Sequence, residues 1–398
     1  MRILVISQYF HPENFRINDL VFSLKKRGYD IDVLTGKPNY PKGEYYEGYS
    51  WKGPKEEKIN DINVFRSNLF VRKSGSGTRL FLNYLSFLFY GAFKISSINK
   101  NYDKVFVYAP SPITVGFLGY IAAKKFKCKS YLWVHDLWPE SVKVAGGINN
   151  RAVLFSINLM TKLIYRLNDV ILVQSPYFEK YLISQEVNSE KIIYYPYYAE
   201  DFYKPINKKS EILKKFPTGF NILFAGNLGT AQSLQTIINA IELTKNKKIN
   251  VIFLGEGRDK KRIQELISKK DLDKNFSFLG SYPPEQMSDF FSCADALYIS
   301  LKKANIFSYT IPGKLQSYLA CGRPIIGSLD GIVKKIITDS NSGLCSNAED
   351  HIKLSQNIIK LSEMPKEERN RMSRNAIKYF RANFEKEKLL DRLIEILK

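Results

Sequence analysis

Short runs of β-branched and aromatic residues alternate with amphipathic stretches along most of this chain. Helical patterns such as Asn14–Arg27 and Pro112–Lys125 lie between the runs. Strands separated by helices predict a parallel sheet with right-handed crossover connections, so the first half is expected to fold as an α/β domain. The strands predicted there are Ile3–Ser7, Ile31–Thr35, Val105–Ala109, Ser130–His135 and Val170–Ser175.

The same alternation restarts in the second half of the chain, after prolines 196, 205 and 217 interrupt the pattern. A length of 398 residues suits two domains. We predict two Rossmann-like, doubly wound domains, 1–205 and 206–375, with a charged helix over 376–398 that crosses back onto the first. The strands predicted in the second series are Asn221–Gly226, Asn250–Gly255, Phe276–Gly280, Ala294–Ser300 and Arg323–Ser328.

The chain is strongly basic, with 60 Lys and Arg against 39 Asp and Glu and a formal net charge of +21. A solvated lysine-rich surface, a phosphate-rich ligand, an anionic membrane and a nucleic acid could each explain this excess. Nucleic acid ranks last because no helix-turn-helix, zinc-finger or RNP-like pattern accompanies the charge. The four Cys form no Cys-x-x-Cys pair, which argues against a disulfide framework or zinc site and is typical of a reducing cytosol.

The loop after the first predicted strand, QYFHPENFRINDL, lacks the Gly-x-Gly-x-x-Gly pattern of a dinucleotide site. Ordinary NAD or FAD binding by the first domain is therefore not expected. Glu13 and Asn14 place a carboxylate and an amide at a helix start. Asn14 either caps that helix, or Glu13, Asn14 and Arg16, together with Asp136, contact an acceptor substrate.

Ligands of doubly wound sheets bind outside the carboxyl ends of the strands, so functional residues are expected in the loops that follow the strands. His135 and Asp136 end a buried strand within WVHDLWPES and place an imidazole beside a carboxylate. A structural histidine is the alternative. The chain has only three His, and this one lies at the ligand-binding end of a strand, so we predict a functional role.

Three loops of the second domain suggest a phosphate site. ILFAGNLGTAQSL and VIFLGEGRDKKR are strand–glycine–helix turns, in which Gly226 and Gly255 allow close backbone approach and a helix start attracts phosphate. Such turns need glycine anyway, so alone they are weak evidence. In IPGKLQSYLACGRPII, Pro312 is predicted as the first helical residue and Lys314 adds a charge to the first turn. No acidic residue occurs between 295 and 330, which favours a positive potential and a diphosphate ligand.

With these loops identified, the chain resembles a retaining glycosyltransferase of family 4 with the GT-B fold. More narrowly, it resembles the bacterial L-fucosamine or colanic-acid-type transferases of surface polysaccharide assembly. The resemblance implies two Rossmann-like domains facing a cleft and transfer of a sugar, with N-acetyl-L-fucosamine as one candidate, from a nucleotide diphosphate, preferably UDP. The matching stretches span both domains and are FRINDL, VLTGKPNYPKG, VHDLWPES, FAGNLGTAQSL and IPGKLQSYLACGRPII.

The resemblance also assigns residues to the donor site, with two departures from the wider family. The two family Glu fall at Tyr309 and Ser317, and the family Arg and Lys fall at Asn227 and Gln232. We expect Lys314 and Arg258 to stabilise the leaving diphosphate instead, and His135 to contact the donor sugar through its ring or its carbonyl. The expected nucleotide-sugar contacts are Gly226, Asn227, Gln232, Ser281, Tyr282, Tyr309, Ile311, Pro312, Gly313 and Ser317.

No metal or cofactor is expected, because the two Asp-x-Asp triplets, 30–32 and 271–273, fall outside the predicted cleft. No covalent nucleophile is evident, so the resemblance favours attack by an acceptor hydroxyl on the face that the leaving phosphate vacates. A nucleotide-sugar 2-epimerase of GT-B shape and an inactive scaffold at the membrane surface are the alternatives. The acid-free segment after Asp295 argues against the epimerase, and the missing Glu pair favours the scaffold.

A membrane role is predicted from the stretch Leu80–Phe93, rich in Phe and Tyr and too short to span a bilayer as a 14-residue helix. It lies in a window without acidic residues, and a core helix is the alternative to a helix in the headgroup region. We expect a cytoplasmic protein bound to the anionic inner face of the membrane, acting on a polyprenyl-diphosphate-linked saccharide. The cations near this stretch are Arg66, Arg72, Lys73, Arg79, Lys94 and Lys100, and a second cluster comprises Lys124, Lys125, Lys127 and Lys129.

Overall fold

Each half of the chain forms its own parallel sheet flanked by helices. The computed structural model describes residues 1–73, 77–244 and 248–398. One unit comprises Met1–Tyr195 with Leu390–Lys398, and the other comprises Pro196–Leu389. The division precedes residue 205, and only the last part of the 376–398 segment groups with the first unit.

The first sheet has eight strands in the order β3-β4-β2-β1-β5-β6-β7-β8, and only the β3–β4 pair is antiparallel among the described residues. All five predicted strands form, because their apolar runs are covered on both faces. The sequence did not predict three strands: β3, which is polar and half-exposed, the buried six-residue β4, and the three-residue β8. The strands are β1 (Arg2–Ser7), β2 (Asp30–Gly36), β3 (Glu56–Ile59), β4 (Ile62–Ser67), β5 (Lys104–Ala109), β6 (Lys129–Val134), β7 (Val170–Val173) and β8 (Ile192–Tyr194).

Among the described residues, six helices connect these strands. In the described part of the chain, no helix is both long enough and apolar enough to cross a bilayer. The helices are α1 (Arg16–Lys26), α2 (Gly77–Ser97), α3 (Val115–Phe126), α4 (Glu140–Gly146), α5 (Arg151–Leu167) and α6 (Pro176–Ser184).

The second sheet has six parallel strands in the order β11-β10-β9-β12-β13-β14. Its central strands carry buried aromatic residues that pack against the helices on one face. The five predicted strands form, and only the short edge strand β14 was missed. The strands are β9 (Phe220–Ala225), β10 (Ile249–Leu254), β11 (Phe276–Gly280), β12 (Ala296–Ser300), β13 (Ile325–Ser328) and β14 (Gly343–Ser346).

In the described part of the chain, ten helices precede, connect or follow these strands, with 3-10 turns at 230–232, 273–275 and 284–286, and a further 3-10 turn at 189–191 precedes β8. The helices are α7 (Ser210–Leu213), α8 (Gln235–Glu242), α9 (Lys260–Lys269), α10 (Met287–Cys293), α11 (Asn305–Tyr309), α12 (Gly313–Cys321), α13 (Ile332–Asp339), α14 (His351–Glu363), α15 (Lys366–Asn383) and α16 (Lys386–Leu397).

The end of α16 is built into the first unit. Leu390, Leu393 and Leu397 are fully buried, and the Arg27 guanidinium lies 2.6 Å from the Asp391 carboxylate. The hydrophobic side of this last turn therefore contributes to the core around the first sheet.

The strand orders fix where a ligand can reach each sheet. In the first unit the winding reverses between β1 and β5, and in the second between β9 and β12. At such a reversal the flanking connections diverge and leave a crevice outside the carboxyl ends of the strands. The α/β class with two doubly wound units is confirmed, and the two crevices are the places to look for a site.

Candidate functional site

Lys314 lies at the reversal point of the second sheet. It is the second residue of α12, and its ammonium donates a 2.8 Å hydrogen bond to Gln232 Oε1 in the loop after β9. The same nitrogen lies 3.8 Å from the centre of the Phe224 ring. Within residues 1–73, 77–244 and 248–398, no carboxylate forms an ion pair with it. The cation is therefore held by a neutral amide and a ring face at the carboxyl edge of the sheet.

Gly226 makes room for this lysine. Its φ is +133°, and a Cβ placed on it would lie 2.9 Å from Lys314 Cε. The loop that begins there is tied to the loop after β12, since Ala231 accepts from the Lys302 amide and Gln232 accepts from the Ser300 hydroxyl. The three segments thus hold Lys314 in one position.

Burial lowers the pKa of Lys314 to about 7. The side chain is only partly removed from solvent, so an anionic ligand can still reach it. A phosphate beside the ammonium would restore its charge, because an opposite charge favours the ionised form. The site is therefore suited to an anion rather than to a neutral ligand.

The glycines after β10 have a packing role. A Cβ on Gly255 would lie 2.0 Å from the Gly226 carbonyl oxygen, and one on Gly257 would lie 2.2 Å from that of Leu228. Both glycines are needed because two backbone loops touch there. Arg258, which follows them, is exposed and has no ion-pair partner in the described part of the chain. It remains available to a ligand at this edge.

Several residues predicted to contact the nucleotide sugar serve the local structure. Pro312 is the residue before α12 and not its first helical residue, because its ψ of 142° is extended. Ile311 is buried, and the Ser317 hydroxyl donates to the Gly313 carbonyl one turn earlier. Ser317 is therefore satisfied within its own helix, where the wider family would have a carboxylate.

The remaining predicted donor residues lie on loops or at element ends. Asn227 is exposed beside Gly229 and Gly257. Tyr309 is the last residue of α11. Ser281 is exposed after the edge strand β11, whereas the Tyr282 hydroxyl accepts a 2.9 Å hydrogen bond from Lys215. Ser281 and Tyr282 therefore lie at the edge of the sheet, and Asn227 lies near its centre.

In the first unit, His135 follows β6 at the carboxyl edge. Its ring centre lies 4.2 Å from that of Trp133 and 4.7 Å from that of Tyr108. Its carbonyl oxygen already accepts from the Gln174 amide at 2.8 Å. Burial, assisted by the positive charge of Arg16, lowers the pKa of His135 well below its usual range. The imidazole is therefore neutral at pH 7.

Glu13, a predicted acceptor contact, lies in the interior of the first unit, and its role toward an acceptor stays a prediction. It is fully buried, and its Oε1 accepts from the amides of Asn39 and Tyr40 at 2.9 and 2.7 Å. Burial raises its pKa to about 7. Glu13 thus joins the loop after β1 to the loop after β2 and acts through their positions.

Asn14 does not cap α1, because Phe15 is the capping residue and makes no side-chain cap. Asn14 is exposed, and Arg16 is the first residue of the helix. The side chain of Asn18 ties this loop together instead: its Oδ1 accepts from the His11 amide and its Nδ2 donates to the Glu13 carbonyl. Asn14 and Arg16 therefore remain candidates for ligand contact.

Arg72, which the sequence places only among surface cations, lies among three tyrosine rings. Its guanidinium lies 5.1, 5.3 and 5.6 Å from the ring centres of Tyr9, Tyr40 and Tyr84. Its Nε donates at 3.3 Å to the Asn83 carboxamide, which also accepts from Gln8. The contributing residues are far apart in the chain, so no local pattern could have indicated this arrangement.

Asp136 lines an apolar groove beside His135. Burial raises its pKa to about 6, although the Ser141 and Trp138 side chains and the Leu137 amide favour the ionised form. Asp136 is therefore a carboxyl group poised between its two protonation states near neutral pH.

The two Asp-x-Asp triplets lie away from both crevices. Asp30 and Asp32 begin β2, at the opposite edge of the sheet, where they bind Arg2 and Lys100. Over the part of the chain that the structure describes, no three His, Cys, Asp or Glu side chains cluster as metal ligands would. Metal independence stays a prediction.

The helix predicted over Leu80–Phe93 is longer than expected, since α2 has 21 residues. One face is buried through Phe87, Gly91 and Ile95, with Gly91 against Leu118 of α3, and the other is exposed. The helix is therefore not an entirely buried core helix, and its contact with a headgroup region stays a prediction. The exposed apolar residues are Phe81, Leu82, Leu85, Phe89 and Phe93, each at least 40% exposed.

Three of the six predicted cations around α2 are paired with carboxylates, so less unneutralised positive charge surrounds this helix than the sequence indicates. Arg66, Lys94 and Lys100 form ion pairs with Glu57, Glu56 and Asp32. Lys125 of the second cluster donates to three carbonyls at the end of α2. Arg72, Lys73 and Arg79 form no ion pair with any described residue.

Comparisons with known proteins agree with this architecture. Residues 205–379 match the family model for glycosyl transferases group 1. The chain is 22% identical to a protein of Escherichia coli K12 named colanic acid biosynthesis glycosyl transferase WcaI, over 81% of this chain and 82% of that protein.

Two solved structures share the fold over their whole length. A sucrose-phosphate synthase from Thermosynechococcus elongatus has a TM-score of 0.79 at 17% identity, with 99% of this chain and 98% of that chain covered. HepE from Anabaena, solved in complex with UDP, has a TM-score of 0.72 at 12% identity, with 100% and 99% covered. The chain is thus a transferase with the GT-B fold, and residues 205–379 match the glycosyl transferases group 1 family.

Proposed function

We propose that this protein is a retaining glycosyltransferase that takes a sugar from a nucleotide diphosphate, preferably UDP, and transfers it to a lipid-linked saccharide in surface polysaccharide synthesis. The nucleotide-sugar part of this proposal rests on the position of Lys314. This cation has no carboxylate partner among the described residues and lies at the reversal point of the second sheet. It contacts Gln232, the position at which the wider family has a cation. The lysine of α12 thus replaces that charge from a different part of the chain.

The chemical demand on the site is charge on the leaving group. As the bond between the sugar C1 and the diphosphate oxygen breaks, negative charge grows on the phosphate. Lys314, the start of α12 and Arg258 would stabilise it at that moment. The acceptor oxygen forms its bond to C1 on the same face, and its proton passes to the departing phosphate.

His135 is assigned a neutral role at the donor sugar. Its lowered pKa makes it a hydrogen-bonding group and not a proton donor at pH 7. Its carbonyl is engaged by Gln174, so the ring is the favoured contact. Asn14, which is exposed in the loop after β1, and Arg16, the half-buried first residue of α1, are the residues that would meet the acceptor.

The proposed location is the inner face of an anionic membrane. The exposed apolar face of α2 supports it, because aromatic residues with nearby cations suit the headgroup region. A lipid-linked acceptor stays in the bilayer, so an enzyme that uses it gains from docking there. The relatives add support: WcaI is named for colanic acid biosynthesis, and HepE was solved with UDP.

The experiment is a transfer assay with UDP-, GDP- and dTDP-sugars, N-acetyl-L-fucosamine included, and with lipid-linked acceptors. We expect nucleotide release that depends on the acceptor, a product with the donor's anomeric configuration, and a higher melting temperature with UDP. A changed nucleotide sugar without acceptor would indicate an epimerase. No reaction and no nucleotide-dependent melting shift would indicate a scaffold.

A further inference from the structure

An apolar groove of about 760 Å³ runs along the first unit between α2 and α5. Leu80 and Tyr84 of α2 line one side, and Ala152, Ser156 and Met160 of α5 line the other. The volume is that of a typical small-molecule site. The groove is therefore large enough for part of a ligand and is not a packing defect.

The groove reaches the carboxyl edge of the sheet. Ser111 and Asp136, which follow β5 and β6, are among its lining residues. Asp136 is the one charged group among the described lining residues, and its neighbours Ser141 and Trp138 stabilise its ionised form. An apolar ligand in the groove would thus end next to His135.

Beyond the groove, both helices carry exposed apolar side chains. Phe81 and Leu85 of α2 and Val153 of α5 belong to the lining and are also 40–59% exposed. Phe155 and Leu159 continue this surface along α5 at 62% and 53% exposure. A hydrocarbon chain could therefore pass from a bilayer into the groove without being hydrated, which the hydrophobic effect would favour.

A cation lies at the edge of the groove. The guanidinium of Arg72 lies 5.6 Å from the ring centre of Tyr84, which is itself a lining residue, and within 5.3 Å of those of Tyr9 and Tyr40. No described carboxylate pairs with Arg72, and its planar guanidinium can bind two phosphate oxygens at once. An apolar channel beside an unneutralised guanidinium is complementary to a ligand with a hydrocarbon tail and a phosphate head.

We propose that this groove binds the isoprene units of a polyprenyl diphosphate that lie next to its diphosphate, and that Arg72 binds the diphosphate. The proposal rests on the proposed function, since it names the lipid part of the acceptor. The proposal gives α2 two roles. Its outer face contacts the bilayer, and its groove-lining side binds the lipid of the acceptor.

The test is calorimetric titration of the full-length protein with farnesyl diphosphate, farnesol and inorganic diphosphate, with UDP present to fill the donor site. A bulky Ser156→Trp substitution in the groove should weaken farnesyl diphosphate binding at least tenfold. Ser96→Trp on α2 is the matched control, because both serines are exposed and each donates to the carbonyl four residues earlier. It should change the affinity less than twofold.

Arg72→Gln should weaken farnesyl diphosphate and inorganic diphosphate while leaving farnesol unchanged. Equal affinities in Ser156→Trp and Ser96→Trp would overturn the proposal. Inorganic diphosphate that binds as tightly as farnesyl diphosphate would also overturn it. A dimer of the protein that Ser156→Trp dissociates and Ser96→Trp does not would do the same, since a second copy would then cover the groove.

Failure of this proposal differs from failure of the proposed function. If Ser156→Trp abolishes binding of farnesyl diphosphate but the protein transfers no sugar, the groove proposal holds and the proposed enzyme activity is wrong. If the protein transfers sugar to a lipid-linked acceptor and Ser156→Trp does not impair that transfer, the proposed activity holds and the groove proposal is wrong. Vesicle binding without lipid diphosphate should be unchanged in Ser156→Trp, which separates the groove from the bilayer contact.

Discussion

Lys314 combines a lowered pKa with contacts to Gln232 and the Phe224 ring, and neither partner neutralises a positive charge. Lys314→Met keeps most of the side-chain length and removes the charge. We expect kcat to fall about 100- to 1,000-fold, as for other groups that stabilise charge in a transition state. Lys302→Met is the control, because Lys302 is an exposed lysine in the loop after β12. A kcat within threefold of the parent would remove Lys314 from the site.

The same lysine makes nucleotide affinity depend on pH. Its pKa of about 7 in the free protein means that it is mostly neutral above pH 7. A bound diphosphate raises that pKa, so UDP binding takes up a proton and weakens by up to about tenfold per pH unit above 7. Calorimetry in buffers of different ionisation enthalpy measures this proton uptake. Lys314→Met should show none, and a pH-independent parent would contradict the assignment.

Folding stability has the opposite dependence on pH at this residue. Because burial lowers the pKa of Lys314 below the unfolded value of 10.5, the folded state binds fewer protons between about pH 7 and 10.5. The stability of the parent relative to Lys314→Met therefore rises across that window. The burial of this charge costs stability at neutral pH and is retained, in the proposed function, for the ligand.

At the scale of single elements, α2 is the helix whose role differs most between its two faces. We expect Phe89→Ser with Phe93→Ser to weaken binding to anionic vesicles at least tenfold, since burying one Phe contributes roughly 1.5–3 kcal/mol. Ile352→Ser on α14 is the control, because Ile352 is equally exposed, at 58%, in the other unit. Cosedimentation with vesicles measures the effect. Equal binding by both variants would show that the exposed face of α2 does not contact the membrane.

Charge contributes separately at this helix. Lys73→Glu with Arg79→Glu should reduce binding to anionic vesicles and leave binding to neutral ones unchanged, because each basic residue contributes about 1 kcal/mol near an anionic surface. Arg66, Lys94 and Lys100 are poor choices for this test, since each is already paired with a carboxylate.

At the scale of the whole molecule, the chain returns to its first unit at its end. Leu393→Ala should lower the free energy of unfolding of that unit by about 2–4 kcal/mol, because Leu393 is fully buried. Tryptophan fluorescence in denaturant measures this unit alone, since Trp51, Trp133 and Trp138 all lie in it. Leu163→Ala, at a 46% exposed position, should cost far less. Equal costs would show that the terminal helix is dispensable.

Much of the architecture follows from the sequence, because apolar periodicity is a local property. All ten predicted strands form, and three of the four that were missed, β3, β8 and β14, are short or polar edge strands, whereas the fourth, β4, is a buried interior strand. Lys314 was also predicted, since a Pro-Gly-Lys run in an acid-free segment is a local signal. Pro312, by contrast, precedes α12 and does not begin it, which is an error of one residue in a helix boundary.

The sequence by itself determined which loops follow the strands, and therefore which residues stand at the carboxyl edges of the two sheets. Only the tertiary structure decided that Glu13 is buried, that Gln232 meets Lys314, and that three tyrosines enclose Arg72. These contacts join residues that are distant in the chain, and a distance across the fold leaves no periodicity or spacing in the sequence. Burial then sets the pKa of Lys314, because desolvation depends on every segment packed around a group and not on its neighbours along the chain.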